Sequence, residues 1–454
     1  MTQTSLPTQR ERLDLRETLQ AAPLGSFHFR LAILLALILW FDGFDLYNAA
    51  YIVHQVAPAW HLSPSQIGVL LSCGLAGFAI GSAVSGLFGD RLGRRAVIVP
   101  GVAVSGIMSL AIALFAHDLS SFVALRFIMG LALGLLMPMS VTYINEIAPR
   151  QSNNVFTIGF FSLGWIGGAT CSGFIAAWLI PQFGWQSMYF VGGGAIVLAV
   201  LLMFTLPESV SFLATRERTA AVREQLARFW PARASEFRDA EIVVPAPTSK
   251  AGSIPALFAP RFRRQTICFW AMGALSLFSS YGLSGWLPTI LIKRGENLSI
   301  SFAYGSLLVF ASAFGSLLSG FVADRIGNRR LAMSLAWLLG ASAIAALGLI
   351  TQGETVWIVI VAGMFVIGTQ TVLNNLVAVS YPTEIRGTAV GVFFGIARFG
   401  AMFGPAVSGV LQQQTGGPGA MFFVLSAALV TAAVLVFLIE RPEGLPQNSA
   451  AFGH

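Results

Sequence analysis

Apolar stretches of about twenty residues recur along nearly the whole chain, separated by short polar intervals, and this pattern constrains the fold more than any other feature. A helix needs roughly 20 residues to cross ~30 Å of hydrocarbon, and runs of this length are too long for strands. The first half predicts spans at Phe29–Val53, Ile67–Phe88, Ala96–Ala116, Phe122–Tyr143, Phe156–Ile180 and Gln186–Leu206. The second half predicts Thr266–Ile292, Phe302–Val322, Leu331–Ile350, Val356–Ser380, Thr388–Leu411 and Met421–Leu438. Only 10% of the 454 residues are charged and 56% are hydrophobic, against roughly 25% charged in a soluble domain. Such a chain cannot cover a water-facing surface.

Lys and Arg collect on the cytoplasmic side of membrane proteins. Of the 27 here, 23 fall on the side of the two termini, 2 on the other side (Lys293 and Arg294), and 2 well inside spans (Arg126 and Arg398). Both termini are therefore expected in the cytoplasm. The net charge of +7 follows from the same asymmetry, so no nucleic-acid partner is needed to explain it. The first 25 residues carry Arg10, Glu11, Arg12 and Asp14 and lack an apolar core, which is not the pattern of a cleaved signal peptide. The expected organisation is a cytoplasmic tail (1–28), a six-helix bundle (29–206), a cytoplasmic loop (207–264), a second six-helix bundle (265–438) and a tail (439–454). In the loop, 10 basic and 6 acidic residues alternate. Thr219–Phe229 suits an amphipathic surface helix, and Pro245–Gly252 reads as irregular chain. Cys73, Cys171 and Cys268 fall inside spans without metal-ligand spacing and read as packing residues. No metal or cofactor is expected.

A repeat divides the chain. Gly86-Leu-Phe-Gly-Asp90-Arg91-Leu-Gly93-Arg94-Arg95 follows the second span, and Gly320-Phe-Val-Ala-Asp324-Arg325-Ile-Gly327-Asn-Arg329-Arg330 follows the eighth. A fainter echo pairs Tyr143-Ile-Asn-Glu146-Ile147 with Tyr381-Pro-Thr-Glu384-Ile385. Duplication of this kind is common in transporters. Gly93 and Gly327 suit tight turns, and each Asp can meet a helix N-terminus or an Arg.

With these motifs the chain resembles the major facilitator superfamily, whose signature loop is G-x-x-x-D-R-x-G-R-R. The resemblance covers Phe29–Leu438 and implies an all-α membrane protein of twelve helices in two six-helix halves. It implies gating roles for Asp90, Arg91, Arg94, Asp324 and Arg325 of the signature loop and its copy, with Asp90 latching the halves together on the cytoplasmic side. Glu146 and Glu384, at cytoplasmic helix ends, read as gate or loop anchors rather than substrate ligands. Arg126-Phe-Ile-Met-Gly130-Leu-Ala-Leu-Gly134 is similar to a second superfamily motif, and Pro207-Glu208-Ser209 recurs in several of its families.

An ionisable group at bilayer depth costs at least ~2.5–3.5 kcal/mol by insertion scales, so its presence points to function. Asp42 and Asp45, in Phe41-Asp-Gly-Phe-Asp45, are spaced i and i+3 and share a helix face. Two close carboxylates cannot both ionise easily in a poorly solvated cavity, which suits proton coupling. The alternatives are a permanent pair with an Arg or a cap on a kink at Gly43. Arg398 presents a planar fork that matches a carboxylate, and the alternative is an ion pair with Asp42 or Asp45. Arg126 lies nearer the far end of its span, where it either couples or snorkels to water. Gln370 and Asn374 either join helices or orient a substrate. Phe44 and Tyr47 suit stacking on a ring, although most of the 36 Phe must pack. Gly77/Gly81, Gly130/Gly134 and Gly391/Gly395 are spaced for close helix approach.

Asp42-Gly-Phe-Asp45 resembles the D-G-x-D motif of the aromatic acid:proton symporters, and Gly395-Ile-Ala-Arg398-Phe-Gly400-Ala401 resembles that branch's G-x-x-R-x-G-A. The resemblance implies a monomeric bacterial inner-membrane symporter that imports benzoate-like and hydroxybenzoate-like acids with protons. A symporter of another organic acid or a sugar-like metabolite, and an exporter, are the alternatives. No phosphate-cradling loop or Ser/His/Asp grouping points to an enzyme.

Overall fold

A computed structural model of the chain describes residues 12–21, 24–149, 159–239, 241–243, 254–350 and 355–439. Pro245–Gly252 and the ends of both tails lie outside them. The first half comprises α1 (Leu15–Ala21), α2 (Ser26–Ala59), α3 (Pro64–Leu92), α4 (Arg94–Phe115), α5 (Leu119–Ile147), α6 (Gly167–Phe183), α7 (Gln186–Gly193) and α8 (Ala195–Thr205). Three short helices follow: α9 (Val210–Thr215), α10 (Thr219–Phe229) and α11 (Ala234–Asp239). The second half comprises α12 (Arg263–Lys293), α13 (Leu298–Ile326), α14 (Arg329–Leu349), α15 (Thr355–Ala362), α16 (Gln370–Val379), α17 (Thr383–Thr415) and α18 (Gly419–Leu435). One turn of π-helix runs into α6 at Ser162–Ile166, and another lies between α15 and α16 at Gly363–Ile367.

Eleven helices among the described residues are long and apolar enough to cross a membrane. The twelfth expected span, Phe29–Val53, falls on α2, which is not among these eleven; its 34 residues extend about 50 Å at ~1.5 Å per residue and carry Asp42 and Asp45 near its middle.

Local sequence sets the ends of these helices. Ser63 caps α3 by accepting from the Gln66 amide, with Pro64 in the first turn. Asp118 caps α5, Asn297 caps α13 and Asn328 caps α14. The two repeat loops turn on glycine: Gly93 has φ +99° and Gly327 has φ +66°, where other residues are strained.

Glycine also sets the packing of α3 on α5. A side chain at Gly77 or Gly81 would strike the Phe127 or Leu131 carbonyl, and one at Gly130 or Gly134 would strike the Gly74 or Phe78 carbonyl. These pairs permit the close approach expected of them. Gly391 and Gly395 do not, because both face open space.

That open space reflects how the halves meet. At the face opposite the repeat loops they are closed: Ser65 N donates to Gln413 Oε1 (3.2 Å), Ser299 Oγ to the Ala177 carbonyl (3.4 Å), and Ser306 Oγ to the Thr170 carbonyl (2.7 Å). Tyr51 and His54 pack edge-on against Phe302, and Gly68 lies against the Pro405–Ala406 backbone. Toward the repeat-loop face, Gly86 of α3 and Gly387, Gly391 and Gly395 of α17 have no neighbour within 4 Å of where a side chain would begin.

The amphipathic helix expected at Thr219–Phe229 is α10. The N-terminal tail is not separate from the loop, however. Strands β1 (Arg12–Asp14) and β2 (Glu241–Val243) pair in parallel, and Leu15 and Leu19 share a core with Leu213, Val222, Leu226, Phe229 and Phe237. The apolar residues that drive this docking are few and scattered, so no long run announces it.

Candidate functional site

The site is built from α2, α3, α12 and α17, which converge where the two halves meet. A small cavity there is lined by Tyr47, Leu71, Leu75, Tyr281, Ser284 and Pro405, among others. The Tyr47 and Tyr281 rings lie 6.1 Å apart across the halves, and the Trp165 ring meets Tyr47 edge-on at 5.8 Å. Along α2, Asp42 precedes Tyr47 by five residues, about 7.5 Å of rise. Along α17, Arg398 precedes Pro405 by seven, about 10 Å. Both helices run away from the face that bears the tail, so Asp42 and Arg398 flank the approach to the cavity from the open side.

The two carboxylates occupy different surroundings. Asp45 turns into the first half: its Oδ1 accepts from Asn48 Nδ2 at 3.3 Å, and a side chain at Gly192 would run into it and into Ser109. Arg126 supplies positive charge beside it. Asp42 is fully buried, and neither of its oxygens has a hydrogen-bond partner. The positive charge that acts on Asp42 comes from Arg398, across the interface between the halves, and the neighbouring Asp45 acts on it with negative charge. The i, i+3 spacing thus yields one carboxylate with a partner on Oδ1 and a buried, unpartnered Oδ2, and one with no partner on either oxygen.

Arg126 does not snorkel. It is 4% exposed and donates to Asn48 Oδ1 at 2.9 Å, to the Asp45 carbonyl, and to the Leu46 carbonyl at 3.3 Å. Its guanidinium also lies over the Tyr189 ring at 5.7 Å. Burial is offset here by carbonyls and an amide that α2 already presents, so the side chain need not reach water.

Arg398 makes no ion pair among the described residues, so neither Asp42 nor Asp45 is its salt-bridge partner. Its guanidinium lies over the face of Phe78 at 4.4 Å, contacts Met137 Sδ through Nη2 at 3.3 Å and sits beside the Tyr281 hydroxyl. None of these partners carries a negative charge. An arginine has five N–H donors, so the fork retains capacity for an anion.

Gln370 Nε2 donates to Asn374 Oδ1 at 3.0 Å, which leaves Gln370 Oε1 buried without a partner. Phe44 is fully buried and stacks on Trp40 at 5.4 Å, away from the cavity lining. Trp165 is a residue that sequence reasoning missed. It lies in the π turn, stacked on Phe161, with its indole N–H buried and unpartnered. The only sequence signal was a Trp among small residues, in Gly164-Trp-Ile-Gly-Gly168.

The gating candidates lie at the repeat-loop face. Arg94 joins Asp90 (3.2 Å) and Glu146 (3.2 Å), and Glu146 also accepts from Ser209. Glu208, missed in that role, closes the cluster: its Oε1 accepts the Arg94, Arg95 and Ser209 amides at 2.8, 3.1 and 2.9 Å and caps α4. Three amides converging on one carboxylate oxygen is the pattern of an anion at a helix N-terminus. In the second half Arg329 meets Asp324 at 3.5 Å and Asn375 at 3.1 Å. Asp90 and Asp324 are both exposed, and each is paired within its own half. The Arg91 carbonyl accepts from Arg216, and Arg325 lies over Phe321. The side chain of Glu384 lies outside the described residues.

Comparison with known proteins places the chain among transporters. The family described as Major Facilitator Superfamily matches residues 35–312 and 297–453. The chain is 34% identical to the 4-hydroxybenzoate transporter PcaK of Pseudomonas aeruginosa, over 96% of this chain and 98% of that one. It is 33% identical to the gallate transporter of Pseudomonas putida, over 93% and 94% respectively. Among solved structures it is similar to the inward open conformation of the xylose transporter XylE from E. coli. That likeness has a TM-score of 0.70 at 18% identity and covers 92% of this chain and 98% of that one.

Proposed function

The chain belongs to the Major Facilitator Superfamily, and from that premise we propose that it imports small aromatic carboxylic acids together with protons. One observation carries the coupling: a free buried carboxylate, Asp42, and an arginine without an anionic partner, Arg398, lie on opposite halves and act on each other electrostatically. When a substrate carboxylate binds the Arg398 fork, the positive charge that compensates Asp42 is offset, and Asp42 takes up a proton. By reciprocity a proton on Asp42 strengthens anion binding. Both leave together on the inner side, which returns the pair to its starting state.

Aromatic acids are favoured because the relatives bear the names of hydroxybenzoate and gallate transporters, and because Tyr47 and Tyr281 line the cavity, with Trp165 edge-on against Tyr47. In this reading Trp165 Nε1 and Gln370 Oε1, buried without partners and outside the cavity lining in this conformation, become available to ring hydroxyls only when the helices that carry them move. Phe44, stacked on Trp40, packs within the first half rather than touching substrate. Arg126 fixes Asp45 to the first half. The Arg94 and Arg329 clusters, with Asp90, Arg91, Glu146, Asp324, Arg325 and Glu384, hold the loops that close against each other when the transporter opens outward.

The proposed protein works as a monomer in a bacterial inner membrane with both termini in the cytoplasm, so the open side described here faces inward. Cysteine in place of Gln414 should react with an impermeant thiol reagent added to intact cells, and cysteine in place of Ser235 should not. Both positions are exposed, and labelling at 235 alone would invert the orientation. The functional test is uptake of labelled 4-hydroxybenzoate into proteoliposomes. Accumulation is expected when the interior is alkaline and is expected to collapse with a protonophore. Accumulation that ignores the pH gradient would overturn the coupling, and preferential competition by dicarboxylates or sugars would overturn the substrate class.

A further inference from the structure

A second cavity lies away from the transport path, at the tail-side edge of the first half. It has a volume of about 310 Å³ and is enclosed by the first turns of α2, the end of α8 and the linker helix α10. Arg30 and Arg228 reach into its wall from α2 and α10, while Leu31, Leu34 and Phe229 line it with apolar surface. Among the described residues no carboxylate lines it. We infer that this cavity binds the phosphate head of an anionic membrane phospholipid.

Three features support a lipid as the occupant. First, the charge is complementary. Arg30 and Arg228, from separate elements, line one space, a charge suited to a phosphodiester, and Ser26 lines it with them. Second, the surface running from the cavity toward the bilayer is apolar and uncovered. Ile33 on α2 is 59% exposed, and on α8 Phe204 is 79% and Val197 74% exposed, so acyl chains have a surface to follow. A soluble phosphate ester makes no use of it. Third, the cavity depends on the linker. The Phe27 and Phe229 rings stack at 3.6 Å and hold α10 against α2, so a bound head would tie the linker, and the tail docked on it, to the first half. A diffuse basic surface also attracts anionic lipid, but it does not distinguish these two arginines from others on the same face.

Native mass spectrometry of the purified full-length protein, titrated with phosphatidylglycerol, phosphatidylcholine or sn-glycerol phosphate, tests the inference. Phosphatidylglycerol is expected to be retained at a concentration at least tenfold lower than phosphatidylcholine, with no competition from glycerol phosphate. The double change Arg30→Gln with Arg228→Gln should erase that preference. Leu34→Trp, which fills the cavity and keeps both charges, should erase it as well and serves as the deciding variant if the double change does not fold. Retention of the preference in either folded variant overturns the site. Competition by glycerol phosphate as strong as that of the lipid would make it a site for soluble phosphate and would overturn the lipid assignment.

Discussion

Asp42→Asn is expected to abolish accumulation driven by a pH gradient while leaving substrate exchange intact. The amide matches the protonated carboxyl in size and polarity, so the fork of Arg398 still receives its anion, but no proton travels with it. Substrate binding by the variant should be nearly independent of pH. In the wild type it should strengthen as pH falls, because a proton carried with the substrate removes a negative charge that competes with it. The size of this competition follows from Coulomb's law: unit charges ~5–7 Å apart at an effective dielectric near 20 interact by roughly 2–3 kcal/mol, which is about 30- to 150-fold in affinity. Counterflow of labelled against unlabelled substrate isolates exchange from accumulation. A variant that still concentrates substrate against its gradient would remove Asp42 from the coupling.

Asp45→Asn should behave differently although it lies one turn away. Asp45 is hydrogen bonded to Asn48 and faces the charge of Arg126, so its neutralisation leaves a buried guanidinium without a nearby anion. Loss of one partner from such an arrangement is strongly destabilising, and the expected first effect is a lower melting temperature rather than a specific loss of coupling.

That contrast marks the limit of what the sequence conveys. The spacing of Asp42 and Asp45 places both on one side of α2, and the cost of burying charge makes both conspicuous. The difference between them depends on what faces each, and the charged groups come from residues 81 or more positions away, Arg126 for one and Arg398 for the other. The same limit applies to Arg126, whose position in its span is readable but whose partners are backbone carbonyls of another helix. Gly77, Gly81, Gly130 and Gly134 are legible because close packing leaves a periodic mark. Gly391 and Gly395 carry the same mark and face open space, which fits a surface used when the halves close at the other end. Glu208 was visible only as part of a recurring tripeptide, since its three amide partners lie partly across the fold. Trp165 has no periodic signal at all.

Arg398 carries the second large effect, and its prediction rests on fork geometry as well as charge. Lysine at this position keeps the positive charge but loses one of two parallel hydrogen bonds, so Arg398→Lys should weaken carboxylate binding by about 1–3 kcal/mol, roughly 5- to 150-fold. Arg398→Ala should lose more, since nothing then offsets burial of the anion. The absence of an Asp42 or Asp45 salt bridge in this conformation argues that the fork is kept for a ligand, but a charge can act on Asp42 without touching it. The double variant Arg398→Ala with Asp42→Asn separates the two roles. If Arg398 serves only to balance Asp42, removing both charges restores substrate binding measured by calorimetry. If it holds the substrate, the double variant binds no better than Arg398→Ala, because a neutral Asn at position 42 cannot provide the fork. Full recovery in the double variant would therefore end the assignment of Arg398 as the carboxylate clamp and would leave Asp42 as the centre of the site.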